Sequence, residues 1–272
     1  MAARTLSLPP LAAMYLCRRM DANLHPMLRV GRLPIEATED DQRRAHEAGK
    51  QQLVERGLLE YDDLHPFLDD ALHLLARPPL AVGLAVQRQQ GEDFNAVLVE
   101  HGRSTVQAYQ ADGATAGELK DIVLSRHEYG GPAGNAVALL GRITPGHGAS
   151  VSLLSDQLEQ AGKRMQAGAP GLAGALGASG VKHAEAKALA TAFTAKRTLD
   201  GVITVRAYDQ KVRRMRKLPV NLQFFATDEG CYLAQKKPGP DGREWFTLAP
   251  ADGRKLAAKV EEMIKNLRTA RV

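Results

Sequence analysis

The stretch LLARPPLAVGLAVQRQQGEDFNAVLVEHGRSTVQAY, residues 74–109, decides the fold, because the hydrophobic period changes inside it. Leading into it, Leu64, Phe67, Leu68, Ala71, Leu72 and Leu75 recur at spacings of three and four, which predicts a helix beginning at Asp62 or Asp63. Pro78 and Pro79 end that helix, since neither can donate a backbone hydrogen bond. Beyond them Leu80, Val82, Leu84 and Val86 alternate with Ala81, Gly83, Ala85 and Gln87, the period of a strand. Residues 92–100 and 104–109 continue as strands about a tight turn at His101-Gly102. A helix followed by an antiparallel meander is the signature of an α+β fold.

Toward the N-terminus, Leu11, Met14 and Tyr15 share a helical face that closes near Arg18-Arg19. Residues 21–37, carrying Pro26 and Pro34, read as an extended connection. Thr38 followed by Glu39-Asp40-Asp41 suits the positive end of a helix running to about Gly57. Toward the C-terminus, Thr115-Ala116-Gly117-Glu118 matches a capping box and predicts a short helix over 116–126. Residues 127–149 read mainly as loop, with room for a strand at 137–143, and Val151, Leu154, Leu158 and Met165 mark a helix after Ser150. The Gly/Ala-rich segment 166–180 reads as a flexible linker. A helix near 183–196 leads to strands at 202–208, 218–226, 231–235 and 245–248, and a last helix starts at Pro250 with Leu256, Val260, Met263, Ile264 and Leu267 as its stripe. Helix, strands, helix thus occurs twice, over 43–126 and 183–268. The expectation is one domain, 1–272, with a central antiparallel β-sheet flanked by helices in a quasi-two-fold arrangement.

The composition is that of an ordinary soluble protein, 44% hydrophobic and 25% charged. A net charge of +5, 36 cations against 31 anions, favours acidic partners without demanding them. Two distant cysteines, Cys17 and Cys231, do not resemble a secreted disulfide framework. The apolar run from Leu6 to Cys17 is broken by Pro9-Pro10 and followed by Arg18-Arg19, unlike a signal peptide. No stretch approaches the roughly 18 apolar residues of a membrane span. A cytoplasmic protein is expected.

Catalytic signals are weak. G-x-S-x-G, G-x-x-x-x-G-K-[ST] and H-E-x-x-H are all missing. Ser179-Gly-Val-Lys182 fits S-x-x-K without its companion motifs, and helix capping is its simpler role. Asp69 and His73 sit one helical turn apart, as a metal pair or a surface pair does, and the surface pair is preferred. The loop Gly130–Asn135 follows no strand and contains Pro132, so it is not read as a phosphate cradle. No enzyme, cofactor or metal is expected. The clearest charge cluster is Lys211-Val-Arg213-Arg214-Met-Arg216-Lys217, read as a projecting hairpin between two strands. It suits phosphates or an acidic partner, but an aromatic content of 5% argues against nucleic acid.

Several stretches, in order, resemble the EspG family of type VII secretion chaperones: Gly201–Arg206, Arg213–Lys217, Phe225–Leu233 and Trp245–Leu256, with His25-Pro26, Leu28–Gly31 and Leu74–Pro78 earlier. The resemblance is scattered over most of the chain, and residues 127–180 add little to it. Two departures stand out: Cys231 where the family favours arginine, and Ala249 where a threonine would cap the last helix at a cost of about 1 kcal/mol if lost. Membership implies a quasi-symmetric α+β fold and a cytosolic chaperone that binds PE–PPE heterodimers, or another helical substrate, before export. It implies an apolar surface with a polar rim that shields the helical tip of the PPE partner. If Val220, Leu222 and Phe224 face the core, then Asn221, Gln223 and Phe225 face outward, with Thr204 and Arg206 able to share that face. An outward Phe225 can equally lie beneath a helix. Thr204, Arg206, Asn221, Gln223 and Phe225, with Arg213 and Arg214 of the hairpin, are the expected partner-binding residues. A different client on the same fold, nucleic-acid binding through 211–217, and a homodimer are the alternatives.

Overall fold

The computed structural model describes residues 5–115 and 117–269. The chain opens with β1 (Leu6–Leu8), α1 (Pro10–Arg19) and α2 (Glu39–Glu55), then a small hairpin of β2 (Leu59–Glu60) and β3 (Asp63–Leu64), then α3 (Pro66–Ala76). A meander follows: β4 (Ala81–Arg88), β5 (Phe94–His101), β6 (Ser104–Ala111) and β7 (Ile122–His127), closed by α4 (Gly131–Ala138). The second half begins with β8 (Val151–Leu154), α5 (Ser155–Gln166), α6 (Leu172–Ala178) and α7 (His183–Thr194). It continues through β9 (Arg197–Asp209), β10 (Arg214–Lys217), β11 (Leu222–Thr227), β12 (Gly230–Pro238) and β13 (Glu244–Pro250) to α8 (Gly253–Thr269).

All strands but the β2–β3 pair join one sheet in the order β1-β7-β6-β5-β4-β9-β11-β12-β13-β8, with β10 alongside β9. The quasi-two-fold lies in this order. Each half is an antiparallel meander, β4 to β7 or β9 and β11 to β13, entered from a helix (α3, α7), left by a helix (α4, α8) and extended at its edge by a strand from elsewhere (β1, β8). The halves meet where β4 and β9 pair antiparallel, with Leu84 opposite Ile203.

Strand alternation distributes the core. Val82, Leu84, Ile203, Val205, Leu222 and Phe224 point to one face, where α4 and α8 cover both halves with a shared core. On the other face α1 to α3 cover the first half, through Leu16, Leu68 and Leu72 against Val97, Val106 and Leu124. There α5 to α7 cover the second, through Leu176 and Leu189 against Phe225, Tyr232 and Phe246.

The boundaries differ from expectation in instructive places. Of the helix expected over 116–126, the described residues 117–126 form none: Glu118 N–H donates to the Thr115 carbonyl (3.1 Å) and its carboxylate accepts from Ala114 N–H (2.9 Å). Ile122–His127 then pairs with β6 and β1. Residues 131–138 form a helix rather than loop or strand. The helix after Ser150 is preceded by strand β8 and starts at Ser155. The third helix starts at Pro66, because 59–64 pair with each other. The 166–180 stretch contains α6, with Leu176 fully buried. Pro250 ends β13, and the last helix is capped by Asp252, whose Oδ1 accepts from Lys255 N–H at 2.7 Å. Ala249 therefore is no cap position; it is a buried strand residue opposite Leu233.

Candidate partner-binding groove

The two helical layers on the second face do not meet, so the sheet is open along its seam. There β4, β9 and β11 present Ala85, Gln87, Val202 and Gln223 as the floor of a cavity of about 610 Å³. Leu158 of α5 and Phe193 of α7 form one wall, and Asn95 and Asp112 form the other.

The aromatic wall is built in layers. Phe225 points to this face but is only 5% exposed, since α7 lies over it. Its ring centroid is 5.9 Å from Phe193 and 5.4 Å from Tyr232. The Arg197 guanidinium sits 3.3 Å over the Phe225 ring and 6.0 Å from that of Phe193. Such a cation on an aromatic face is held by the ring quadrupole. Arg197 Nη1 also lies 3.4 Å from Asp200 Oδ1. Burial pulls the Arg197 pKa below its usual value, and Asp200 opposes that shift. The groove thus offers an apolar wall topped by one partly buried cation, with the carboxamides of Gln87 and Gln223 on its floor and that of Asn95 on the opposite wall.

The segment 21–37 closes one end. Its clasp is Gln110, 2% exposed, whose Oε1 accepts from Arg29 N–H (2.7 Å) and whose Nε2 donates to the Arg29 and Lys120 carbonyls (2.8 and 2.9 Å). Arg29 Nη2 then reaches Asp112 Oδ1 at 2.6 Å on the groove wall. His25 and Met27 lie directly on Gly83: a Cβ there would stand 2.5 Å from Met27 Sδ, 2.8 Å from Thr204 Oγ1 and 2.9 Å from His25 Cε1. Glycine is required because the strap rests on the strand itself. Burial, aided by the nearby Arg206 charge, holds the His25 pKa down at about 3.

The sequence-derived residues scatter around this site. Gln223 is exposed on the floor, and Phe225 lies beneath it in the wall. Thr204 and Arg206 share the face, two and four residues along β9 from Val202: Thr204 lies under the strap, opposite Gly83, and Arg206 beyond it. Asn221 lines a separate cleft against Lys259 and Met263 of α8. Arg213 and Arg214 are exposed at the tip of the β9–β10 hairpin. Sequence reasoning missed Arg197 and Phe193; the only signal was their spacing of four across the end of α7, which does not reveal that both rings and guanidinium converge on Phe225.

The residues weighed for chemistry in the sequence sit in ordinary structural contacts. Ser179 Oγ donates to the Ala175 carbonyl at 2.9 Å, a side-chain bond onto the backbone of the last turn of α6. Asp69 and His73 form an exposed pair at 3.7 Å, and among the described residues no group of three or more metal-ligating side chains occurs. Among them, too, no helix is long and apolar enough to cross a membrane.

Comparison with known proteins fits this architecture. The model of the EspG family matches residues 9–262. No curated protein matches the chain. Among solved structures, the Mycobacterium tuberculosis type VII secretion system chaperone EspG5, in complex with the PE25-PPE41 dimer, superposes with a TM-score of 0.71 at 16% identity over 99% of each chain. At that identity the likeness is one of fold. HtdX of M. tuberculosis (TM-score 0.15, 11% identity, 91% of this chain and 99% of that one) and the 12:0-ACP thioesterase of Umbellularia californica (0.17, 11%, 92% and 93%) do not share it.

Proposed function

The chain belongs to the EspG family, and on that premise we propose that it is a non-enzymatic chaperone that binds a PE–PPE-type heterodimer and keeps it soluble for type VII export. The observation that carries the reading is the open seam: an apolar wall of Phe193 and Phe225, an arginine poised over it, and neutral amides on the floor and far wall. A helical tip taken from its partner exposes apolar side chains together with the unpaired carbonyls of a helix end. The wall receives the side chains. Arg197 and the carboxamides supply donors for the carbonyls, and the segment 21–37 bounds how far the client reaches along β9. The cytosol, where thiols stay reduced, suits the free Cys17 and Cys231. Of the residues singled out in the sequence, Gln223 and Phe225 belong to this groove, and Thr204 lies at its closed end.

Co-expression with a PE–PPE pair from the same organism, followed by size-exclusion chromatography, tests the reading. The expected result is a stoichiometric complex whose affinity falls about tenfold or more in Gln223→Trp and Gln87→Trp, because both fill the groove from exposed positions. Their melting temperatures should match the parent. Undiminished binding in both variants would move the client off this face, and failure of every cognate pair to co-elute would end the chaperone reading.

A further inference from the structure

Beyond the strap, about 13 Å along β9 from the groove, the same sheet face changes character. Arg206 and Lys217 stand directly opposite each other across the β9–β10 ladder. Like charges in that position repel, and a protein without an anion to place there loses stability by keeping both. Among the described residues neither has a carboxylate partner, and the Nε–H of Arg206 is buried without an acceptor.

Two further donors crowd behind it. His25 Nδ1 accepts from Met27 N–H at 3.3 Å, which leaves the ring hydrogen on Nε2, and that atom is buried without a partner. Thr204 Oγ1, two residues from Arg206 on the same face, is likewise unpartnered. Three buried polar atoms, one of them on Arg206, thus lie without hydrogen-bond partners on the face that carries the Arg206–Lys217 pair. Outward from this floor the hairpin tip adds Lys211 and Arg213, neither of them ion-paired among the described residues, with Val212 (45% exposed) and Met215 (38%) beside them. Strand β10 pairs with β9 alone, so its outer edge carries no strand.

We propose that this end of the sheet, with Arg206 and Lys217 as floor and the β9–β10 hairpin as flank, docks an acidic, extended segment of a partner polypeptide. Carboxylate side chains reach the recessed Arg206, apolar ones meet Met215 and Val212, and the segment's backbone pairs along β10. A flat anionic membrane is a poorer fit: Arg206 is recessed, and Arg214 and Arg216 point to the opposite face, where Arg216 Nη2 donates to the Leu267 carbonyl at 2.7 Å. Nucleic acid is poorer too, because the one aromatic ring here, Tyr208, already carries the Arg77 guanidinium at 5.9 Å.

The surface is separate from the groove, so its test does not depend on the chaperone reading. The full chain is titrated with a labelled, end-blocked peptide alternating glutamate and valine, with its glutamine counterpart, with short single-stranded DNA, and with phosphatidylglycerol vesicles. The glutamate peptide should bind tightest and the glutamine peptide not at all. Lys217→Glu should weaken the peptide about tenfold or more, and Arg213→Glu several-fold. Free Lys217→Glu protein should melt at a higher temperature than the parent, since the repelling pair becomes an attracting one. Equal binding of the glutamine peptide, tighter binding of DNA or vesicles, or a lowered melting temperature in Lys217→Glu would each overturn the proposal. Capture of a PE–PPE pair by Lys217→Glu should be unchanged, which separates this surface from the client groove.

Discussion

His25 concentrates the consequences of burial in one side chain. It is 3% exposed, its Nδ1 is committed to a backbone donor, and the charge facing it is the cation Arg206. All three hold it neutral, with a folded-state pKa of about 3 against an ordinary 6.5. Above pH 6.5 both folded and unfolded chains carry it neutral, and it adds no pH dependence. As the pH falls from 6.5 toward 3, the unfolded chain takes up a proton that the folded chain refuses, so stability falls. At pH 5 the loss is about 2 kcal/mol. Urea titrations of the parent and His25→Asn at neutral and mildly acidic pH should differ in acid sensitivity by that amount; the same slope in both would mean the imidazole is not the responsible group. None of this was legible in the sequence, where His25 is one residue of an extended connection. Phe225 was half legible. Alternation put it on the correct face, but the helix that covers it comes from residues more than thirty positions earlier.

Helix and strand boundaries divide according to which force sets them. Where a local cap decides, sequence and structure agree: Thr38 Oγ1 accepts from Asp41 N–H, and Asp41 returns a bond to Thr38 N–H, so α2 starts where the acidic triplet lies. Where pairing decides, a local signal misleads. Thr115 to Glu118 has the spacing of a capping box, yet Ile122–His127 has partners on both sides, and a ladder on each edge outweighs one cap of about 1 kcal/mol. α4 was hidden for another reason: its first turn is Gly131-Pro132, and Gly130 and Gly131 both take positive φ before the alanine-rich turn begins. The last helix shows how a cap can be misplaced by three residues. Asp252, not Pro250 or Ala249, closes its N-terminus through Lys255 N–H and the Leu256 N–H bond to its carbonyl. Asp252→Ala should lower the unfolding free energy by about 1 kcal/mol, measured by urea denaturation, and Asp252→Asn should recover most of it. An unaffected midpoint in Asp252→Ala would mean that burial of the α8 stripe alone sets the helix start.

At the scale of the molecule, the second round of helix, strands and helix was legible from periodicity, whereas the first was legible only in its opening helix and strands, its closing helix being α4 rather than 116–126, and the seam that joins the halves was not legible at all. Leu84 and Ile203 lie over a hundred residues apart, and no local pattern encodes their pairing. Once formed, that pairing makes the halves interdependent. The core under α4 and α8 takes Val82, Leu84 and Leu98 from one meander and Ile203, Leu222 and Leu233 from the other, so neither can expose its share without stripping its neighbour. The open groove is a by-product of the same geometry, since helices entering two halves related by a quasi-two-fold cover their own meander and leave the axis bare. The single tryptophan, Trp245 in β13, reports on the second half alone, whereas far-UV circular dichroism reports on both. In urea the two signals should move together. Leu84→Ala, in the first meander, removes a fully buried side chain at the seam and should cost about 2–5 kcal/mol. Both signals should shift to lower urea by the same amount, although Trp245 is far along the sheet from the substitution. A Trp245 transition that kept its original midpoint while the dichroism moved would mean that the meanders are separate folding units merely abutted at β4 and β9, and the one-domain reading of residues 1–272 would give way to two.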